Sequence, residues 1–503
     1  MKTISINDAI HKSIALSSRE AEIVDHPYMQ RLRFIRQLGF VSSVYPCATH
    51  DRFSHAVGTL HVASLFADQL LMNEEYSVLA RTLNSGEKEF LTRIIRMSAL
   101  LHDVGHAPFS HTAESVMPNI NELAIPKEWM RHGTESRIAR HEDYSVLLLA
   151  GMSEGLNGVI TREEAETIAS LIHHKYIHVP DSWKSHFSSS INSRSLHGVI
   201  KTIVSSDIDA DRMDYLLRDA HFAGVSYGHF DLPWLISNLG TIQQDDGYVM
   251  SVSETGIQAL EHYLLARYNM YTQVYMHKTV KCFDYYFHKA ISEKEIDYQI
   301  PSSRDGYAAM RDATLIELLF AAARRNPSSW SARLVNREPA KRLARIWGSE
   351  DQAEGVFKQI RKELNDRGIQ PFLHFTKRKF LEVSDDEQGS GSLFSGLAAV
   401  PIVVIRKQFG IVSAAPLSDY AFILKRYHDD VSVGDIYVLR DQYEAQKKTI
   451  HAVIKKFHTF SPTEIMVSED EKVTPHTVIA RNSSDEAIST SELQIATSET
   501  SSQ

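Results

Sequence analysis

The strongest constraint on this chain is a group of metal-ligand residue types that directly follows an apolar segment. The run His102-Asp103-Val104-Gly105-His106 comes immediately after Met97-Ser98-Ala99-Leu100-Leu101. Burying an unpaired carboxylate beside an imidazole costs several kcal/mol unless a cation or hydrogen bonds compensate. Because imidazole and carboxylate together suit a divalent transition ion, the run predicts a site for iron, manganese, nickel or zinc.

Composition and charge narrow the class of protein. The 503 residues are 43% hydrophobic and 23% charged, which is typical of a soluble globular chain with room for two or three domains. The formal net charge of -9 argues against a surface built as a whole to bind nucleic acid, although it permits a local basic pocket. Only 2 cysteines are present, and the N-terminus lacks an apolar signal core. We therefore predict a cytoplasmic protein without a membrane span.

Helical periodicity dominates the first part of the chain. Apolar residues recur at three- and four-residue spacing through residues 1–290, and a similar pattern continues over 310–365. Two short segments, 41–45 and 247–252, have the composition of extended strands instead. The predicted fold class is therefore mainly α, with a helical core over 1–290 and a helical extension over 291–370.

The pattern changes beyond the helical extension. Residues 399–405 and 435–439 are predicted strands, and residues 441–457 are a predicted helix. Together they predict a smaller α+β region over 371–460. The remaining tail, 461–503, is predicted to be largely disordered from about residue 482, because it is rich in serine, threonine and glutamate and poor in large apolar residues.

Spacing adds further candidate ligands. A helix places residues four positions apart on one face, so His102 and His106 are predicted to point the same way. A second polar stripe at helical spacing consists of Asp207, Asp211, Asp214, Tyr215 and Arg218. Any single histidine is more typical of a surface or hydrogen-bonded core position. So many ionisable groups beside apolar residues favour a functional site over a structural explanation. His55 would complete a set of four metal ligands.

Whole motifs then match a known family. In chain order they are Asn7–His11, Asp25–Arg33, Gln37–Gly39, Arg52–His55, His102–His111, His141–Glu142, Asp209–Tyr215, Arg218–Asp219 and Arg267–Lys278. Across roughly the first 290 residues they resemble the HD phosphohydrolase superfamily. Within it they resemble the deoxynucleoside triphosphate triphosphohydrolases, both the bacterial dGTPase type and the animal enzyme with a sterile-alpha-motif domain. We expect an HD-domain helical core without that extra domain.

The resemblance implies roles for individual residues. It implies metal ligands at His55, His102, Asp103 and Asp211, and catalytic residues at His106, His141 and Glu114. The residues it implies for substrate binding are Gln37, Leu38, Arg52, His111, Arg212, Tyr215, Asp219, Arg267 and Tyr275. An allosteric nucleotide site is implied at Asp25, Gln30 and Arg33. Met276 stands where the animal enzyme has a glutamine that touches the base, so the base preference stays open.

The reaction implied is hydrolysis of a deoxynucleoside triphosphate to deoxynucleoside and inorganic triphosphate. A transition metal would activate water, Mg²⁺ would accompany the triphosphate, and His106 or His141 would protonate the leaving 5′-oxygen. The resemblance also implies a homo-oligomer, and an activating GTP or deoxynucleotide as a partner.

Two other classes of function remain open from the sequence. Another HD-superfamily nucleotidase, or a metal-dependent nuclease, would share the ligands but not the sugar-contact residues. A nucleic-acid-binding or nucleotide-sensing regulator is permitted by basic segments such as Arg337–Arg345 and Lys377–Lys379, with weak binding of single-stranded nucleic acid. Solvated helix faces are the simpler interpretation of those segments.

Overall fold

The computed structural model supports a mainly helical fold. It describes residues 4–131, 136–156, 158–173, 175–347, 350–378, 402–408, 411–420, 431–457 and 466–467. The described residues up to Val467 form one compact unit. Among these residues, no helix combines the length and the apolar character needed to cross a membrane.

The helices are numbered in chain order. They are α1 Ser18–Asp25, α2 Pro27–Gln30, α3 Arg52–Met72, α4 Val78–Thr82, α5 Ser85–Leu101, α6 His141–Gly155, α7 Arg162–Ile172, α8 Asp181–Ser185, α9 Ser193–Val204, α10 Ala210–Ala223, α11 Leu232–Ser237, α12 Ile257–Met270, α13 Lys278–Ser292, α14 Arg304–Ala308, α15 Asp312–Arg325, α16 Trp330–Val335, α17 Glu350–Asn365, α18 Leu417–Tyr420 and α19 Arg440–Phe457.

The strands form three small sheets. They are β1 Ile4–Asp8, β2 Lys12–Leu16, β3 Leu239–Gln244, β4 Gly247–Ser253, β5 Lys341–Trp347, β6 Phe372–Arg378, β7 Val403–Gln408, β8 Ile411–Pro416, β9 Val431–Val438 and β10 Met466–Val467. Strands β1 and β2 pair as an antiparallel hairpin. One four-stranded sheet has the order β3-β4-β7-β8, and the other has the order β10-β5-β9-β6.

Helix α3 lies at the centre of the core. Most of its residues are buried, and it packs against α5 and α10. Its N-terminus is fixed by Asp51, whose side chain accepts a hydrogen bond from the backbone N–H of Ser54. A capping box of Asn84 and Glu87 begins α5. These caps set where α3 and α5 start, and therefore where the polar residues at their ends lie.

Two glycines permit the close approaches that bring the polar segments together. A Cβ at Gly58 of α3 would lie 2.0 Å from Oδ1 of Asp214 on α10. A Cβ at Gly105 would lie 2.1 Å from the backbone nitrogen of Ser145 on α6. Any larger residue would therefore separate α3 from α10, or the segment after α5 from α6.

The C-terminal strands build a second, smaller core. Leu343 and Ile346 of β5 and Ile436 of β9 pack with buried residues of α17 and α19. Strands β5 and β9 also enclose a buried ion pair, in which Nε of Arg345 lies 2.8 Å from Oδ1 of Asp435. The predicted combination of helices and strands beyond residue 371 is thus present, while the predicted domain boundaries stay predictions.

Two predicted elements differ from the structure. Residues 41–45 were expected to be extended, but Gly39–Ser43 forms a 3-10 turn, with the N–H of Val41 donating to the carbonyl of Leu38 at 2.9 Å. The helix expected through 310–365 is interrupted by β5, because pairing with β9 provides its backbone partners. Of the predicted strand 399–405, only residues from Ile402 onward are described, and they begin β7. The predicted disordered tail lies outside the described residues.

Candidate active site

Four predicted metal ligands converge from three helical segments. His55 lies in the first turn of α3, His102 and Asp103 follow α5, and Asp211 lies in the first turn of α10. Oδ1 of Asp211 is 3.0 Å from Nε2 of His55 and 3.4 Å from Nε2 of His102. Oδ1 of Asp103 is 3.3 Å from Nε2 of His102. We refer to these four residues as the HD cluster.

The donor atoms of the HD cluster fit a divalent cation. Nδ1 of His55 donates to Asp214 at 2.8 Å, and Nδ1 of His102 donates to the carbonyl of Ala99 at 2.7 Å. These bonds leave a lone pair on each Nε2 when the ring is neutral. Both Nε2 atoms are buried, and within the described part of the chain their nearest polar neighbours are carboxylate oxygens that do not meet them in hydrogen-bond geometry. Two imidazole nitrogens with neighbouring carboxylates are a donor set for a transition metal, so this cluster could hold one.

Without a cation, the carboxylates keep a proton on the imidazole. Burial lowers the pKa of His55, but Asp211 and Asp214 together raise it to about 10. Metal ligation requires the neutral ring, so a bound cation would replace that proton and take over the compensation of the carboxylate charges.

Asp214 connects the HD cluster to the N-terminal hairpin. Its carboxylate is fully buried, with Oδ2 on His55 and Oδ1 2.7 Å from Nε2 of His11, which lies in the hairpin turn. Arg218, one turn later on α10, donates to both oxygens of Asp214 and also to Asp8 of β1. Asp214 therefore fixes the ring orientation and the tautomer of His55, as carboxylates behind metal-bound histidines commonly do.

We expect Asp214→Asn to weaken metal binding by about 10- to 100-fold, because the amide loses the charge that orients His55. Competition with a chelator measures this affinity without any turnover. The matched control is Asp8→Asn, which also removes a carboxylate from Arg218 but leaves His55 untouched. An Asp214 variant that folds and binds metal as tightly as the Asp8 variant would contradict the assignment.

A second group of ionisable residues lies beside the HD cluster. The rings of His106 and His141 stack at 3.9 Å between centroids, and Nε2 of His106 is 3.3 Å from Oδ1 of Asp103. Oε1 of Glu114 is 2.5 Å from Nδ1 of His141 and 2.9 Å from Nδ1 of His111. The predicted contact between Glu114 and His141 is therefore present, and the same oxygen also contacts His111.

Backbone anchors hold the segment that carries these residues. The buried guanidinium of Arg31 donates to the carbonyls of Val104 and His106 at 3.2 and 2.6 Å. The hydroxyl of Tyr307 donates to the carbonyl of Gly105 at 2.5 Å. Three successive carbonyls are thus fixed by side chains distant in the sequence, which keeps the ring of His106 against His141.

Neighbouring charges shift the pKa values of the two stacked histidines in opposite directions. Burial, with Arg52 and His141 nearby, holds the pKa of His106 well below its usual range. Burial also lowers the pKa of His141, but Glu142 and Glu114 raise it to about 9. At neutral pH the pair therefore consists of a neutral His106 and a protonated His141, which is the protonation state that a general acid needs.

We expect Glu114→Gln to shift the alkaline limb of the pH profile of kcat/KM to lower pH. The protonated ring of His141 is present below its pKa of about 9 and is lost above it, and removing the Glu114 charge lowers that pKa. The limb should move down by on the order of one pH unit. Glu142→Gln should give a smaller shift, because Glu142 lies 3.5 Å away and makes no direct hydrogen bond to the ring. An unchanged limb in Glu114→Gln would contradict the assignment.

One cavity of about 570 Å³ is lined by every member of the two groups except His55, and by all the predicted substrate residues. The predicted substrate residues in its wall are Gln37, Leu38, Arg52, His111, Arg212, Tyr215, Asp219, Arg267 and Tyr275. His55 lies behind the wall and is fully buried. This cavity is therefore formed where several elements meet, namely helices α3, α10 and α12, the segment after α5 and the turn after α12.

Ion pairs and hydrogen bonds with acidic side chains hold the residues that are predicted to bind the phosphates and the sugar. Nη1 of Arg267 is 3.0 Å from Oδ1 of Asp207, and Arg212 pairs with Asp209. The hydroxyl of Tyr275 donates to Oδ2 of Asp219 at 2.6 Å, and Nε2 of His50 lies 2.8 Å from Oδ1 of the same carboxylate. These contacts order the wall before any ligand binds.

Arg52 contacts the HD cluster. Its guanidinium pairs with Asp103 of the HD cluster, and its Nε donates to Ser110 at 3.0 Å.

The predicted allosteric residues lie outside the cavity wall. Nε of Arg33 donates to Oε1 of Gln30 at 2.8 Å, while Asp25 is exposed at the end of α1. Two of the three are therefore in contact.

Sequence reasoning gave no role to several residues that the site uses. They are His11, Arg31, His50, Asp214 and Tyr307. Asp214 could have been found, because it lies three residues after Asp211 on the same polar stripe. Arg31 and Tyr307 could not, since their contacts depend on the tertiary fold.

Two family models match the chain over most of this site. The HD domain matches residues 52–219, and the HD associated region matches residues 230–367. With the HD cluster within the first of these ranges, the chain belongs to the HD phosphohydrolase superfamily.

The relatives give a more particular comparison. An uncharacterized protein of Methanocaldococcus jannaschii is 33% identical over 307 residues, which cover 60% of this chain and 53% of that protein. The deoxynucleoside triphosphate triphosphohydrolase SAMHD1 of Homo sapiens is 26% identical over 381 residues, or 71% of this chain and 57% of the human protein. The matched regions thus span just over half the length of these relatives.

A solved structure supports the fold. The crystal structure of a hypothetical protein from Aquifex aeolicus aligns with a TM-score of 0.65 at 22% identity, and it covers 89% of this chain and 100% of that one. At this identity the likeness concerns the fold alone.

Proposed function

We propose that this chain hydrolyses deoxynucleoside triphosphates to deoxynucleoside and inorganic triphosphate. The observation that carries the proposal is one cavity of about 570 Å³, whose wall brings His102, Asp103 and Asp211 of the HD cluster together with arginines, His141 and tyrosine rings. A nucleotidase or nuclease needs the metal ligands, but it has no need of the ordered Tyr275–Asp219–His50 contacts.

Substrate binding follows from charge and shape. Arg212 and Arg267 would bind the triphosphate, because a guanidinium has five donors and can contact phosphate while it stays paired with Asp209 or Asp207. The deoxyribose would lie against Tyr275, whose hydroxyl is already bonded to Asp219. A ring fixed in this way leaves little room for a 2′-hydroxyl, which favours deoxynucleotides over ribonucleotides.

The chemical step breaks the bond between the α-phosphorus and the sugar 5′-oxygen while water forms the new bond to phosphorus. A divalent ion in the HD cluster would supply Lewis acidity and an activated water. His141 would donate its proton to the departing 5′-oxygen, and Glu114 would hold its ring in position through Nδ1. His106 would order His141 by stacking, since its own low pKa leaves it without a proton to give.

The relatives support this choice among HD-superfamily reactions. Proteins of Homo sapiens and Dictyostelium discoideum that are similar to this chain carry the name deoxynucleoside triphosphate triphosphohydrolase or its homolog. Activation by a nucleotide at Asp25, Gln30 and Arg33, a Mg²⁺ on the triphosphate, and assembly into a homo-oligomer belong to the same proposal.

Product analysis tests the proposal. Each deoxynucleoside triphosphate is incubated with metal-loaded protein, singly and in mixtures, and the products are separated by ion exchange. We expect deoxynucleoside and intact triphosphate, with GTP and ATP as ribonucleotide controls that turn over far more slowly. Monophosphate with pyrophosphate would indicate cleavage between the α- and β-phosphates instead, and fragments of added single-stranded DNA would indicate a nuclease. Either result without triphosphate would overturn the proposal.

A further inference from the structure

Part of the cavity is lined by polar side chains that the proposed chemistry does not use. Thr112, Lys281, Asp284 and Thr376 contribute to the wall. Oδ1 of the buried Asp284 accepts from the hydroxyl of Thr112 at 3.0 Å, and Oδ2 accepts from Nζ of Lys281 at 2.9 Å. An ammonium and a carboxylate are thus fixed side by side on α13, facing a cavity built for a nucleotide.

The place of this pair follows from the neighbours of the sugar residues. Gly39 directly follows Leu38, and a Cβ at Gly39 would lie 3.3 Å from Oγ1 of Thr112. Tyr275 and Met276, also in the wall, lead into α13, where Val280 precedes Lys281 and Asp284 contacts Thr112. The predicted phosphate residues Arg212 and Arg267 lie instead on α10 and α12. A nucleotide with its sugar between Leu38 and Tyr275 would therefore direct its base toward Lys281 and Asp284.

Both groups keep capacity for a ligand. A carboxylate offers about four lone-pair positions and an ammonium offers three donors. Thr112 and Lys281 occupy one position on each oxygen of Asp284. Burial raises the pKa of Asp284, but Lys281 and nearby groups lower it overall, so the carboxylate is ionised at neutral pH. The pair can thus accept and donate hydrogen bonds at adjacent positions.

This arrangement is complementary to one of the four bases. Guanine has two adjacent N–H donors, at N1 and N2, beside the acceptor O6. Adenine and cytosine place one amino donor next to an acceptor, and thymine places one donor between two acceptors. We propose that Asp284 accepts from N1 and N2 of guanine while Lys281 donates to O6, so that this pair makes deoxyguanosine triphosphate the preferred substrate. The inference rests on the proposed function.

Substitutions on α13 test the inference. We expect Asp284→Asn to lower kcat/KM for dGTP by about 10- to 100-fold, since hydrogen bonds to charged groups contribute the most to recognition. The values for dCTP and dTTP should change little. Lys281→Met should also lower kcat/KM for dGTP, and it provides a second test if the Asp284 variant fails to fold. Lys289→Met is the matched control, because Lys289 forms an exposed ion pair with Glu293 on the same helix.

Deoxyinosine triphosphate isolates the contact with N2, because it lacks only that amino group. The wild-type protein should prefer dGTP over dITP, and Asp284→Asn should remove most of the preference. The same comparison by equilibrium binding, with metal chelated, needs no turnover. Equal use and binding of all bases by the wild type, or variants that affect every nucleotide alike, would overturn the inference. In that case triphosphate release would still support the proposed function, whereas absent triphosphate release alongside selective dGTP binding would overturn only the function.

Discussion

Replacing His102 by alanine is expected to remove both the bound divalent cation and the activity. Nε2 of His102 is buried and lies 3.3 and 3.4 Å from oxygens of Asp103 and Asp211. Losing one of the four ligands opens the site and removes an imidazole that offsets the charge of Asp103 and Asp211. Metal content should fall from about one ion per chain to background, and turnover should fall by more than about 10³-fold. Asp103→Ala should also lose the metal and the activity.

Elemental analysis of the purified variant, next to the rate of triphosphate release, provides the measurement. His197→Ala is the matched control, because His197 is similarly buried but lies on α9, where it contacts Ser170 at 2.9 Å. That variant should keep its metal, and any loss of stability in it reports the cost of removing a buried imidazole. A His102 variant that retains a full complement of metal would show that the HD cluster is not the metal site.

Replacing His141 by asparagine is expected to abolish most of the rate while the metal stays bound. His141 is the protonated member of the stacked pair, and its Nδ1 is held by Glu114 at 2.5 Å. Loss of a positioned general acid typically costs about 10²- to 10⁴-fold in rate. His106→Ala should also keep the metal and lower the rate, since His106 supports the ring of His141.

A substrate with a better leaving group separates acid catalysis from binding. In a 5′-thio analogue of the nucleotide, the departing sulfur needs no proton, so the His141 variant should lose far less rate with this substrate than with the oxygen substrate. A proportionate loss on both substrates would contradict the role of His141 as proton donor, and it would point to a role in binding instead.

The sequence pointed to the candidate metal ligands more readily than to the residues that position those ligands. Residue types and spacing pointed to His102 and Asp103, and the family resemblance implied His55 and Asp211 as the other two ligands. Residues that position these ligands are less restricted. Asp214 acts through a contact between α3 and α10 that Gly58 permits. The polar stripe of α10 placed Asp214 near Asp211, but its contact with His55 depends on how α3 and α10 pack.

The contact between Arg52 and Asp103 was also not predicted from the sequence. The position of Arg52 in the motif predicted a phosphate contact, whereas its guanidinium pairs with Asp103. The contact with Asp103 links two segments far apart in the sequence, so the motif around Arg52 could not predict it. Both arrangements are compatible with one side chain, because arginine can exchange one anionic partner for another.

Local patterns also failed where tertiary pairing decided the conformation. The segment 41–45 resembles a strand in composition, but it buries Phe40 and Val41 through a 3-10 turn that begins at Gly39, where φ is +48°. In β5, the residues Leu343 and Ile346 suggested a helix face, yet the strand forms because β9 and β10 pair with both of its edges. Strands far apart in sequence supply that energy, so the local signal cannot report it.

Anomalous diffraction from a crystal of the metal-loaded protein tests the central claim most directly. The claim predicts one strong peak within about 2.0–2.3 Å of Nε2 of His55, Nε2 of His102 and a carboxylate oxygen of both Asp103 and Asp211. His106, His111 and His141 provide an internal alternative, because their ligand atoms also lie within 4.8 Å of one another. A sole peak among those three histidines, or none in active crystals, would contradict the account.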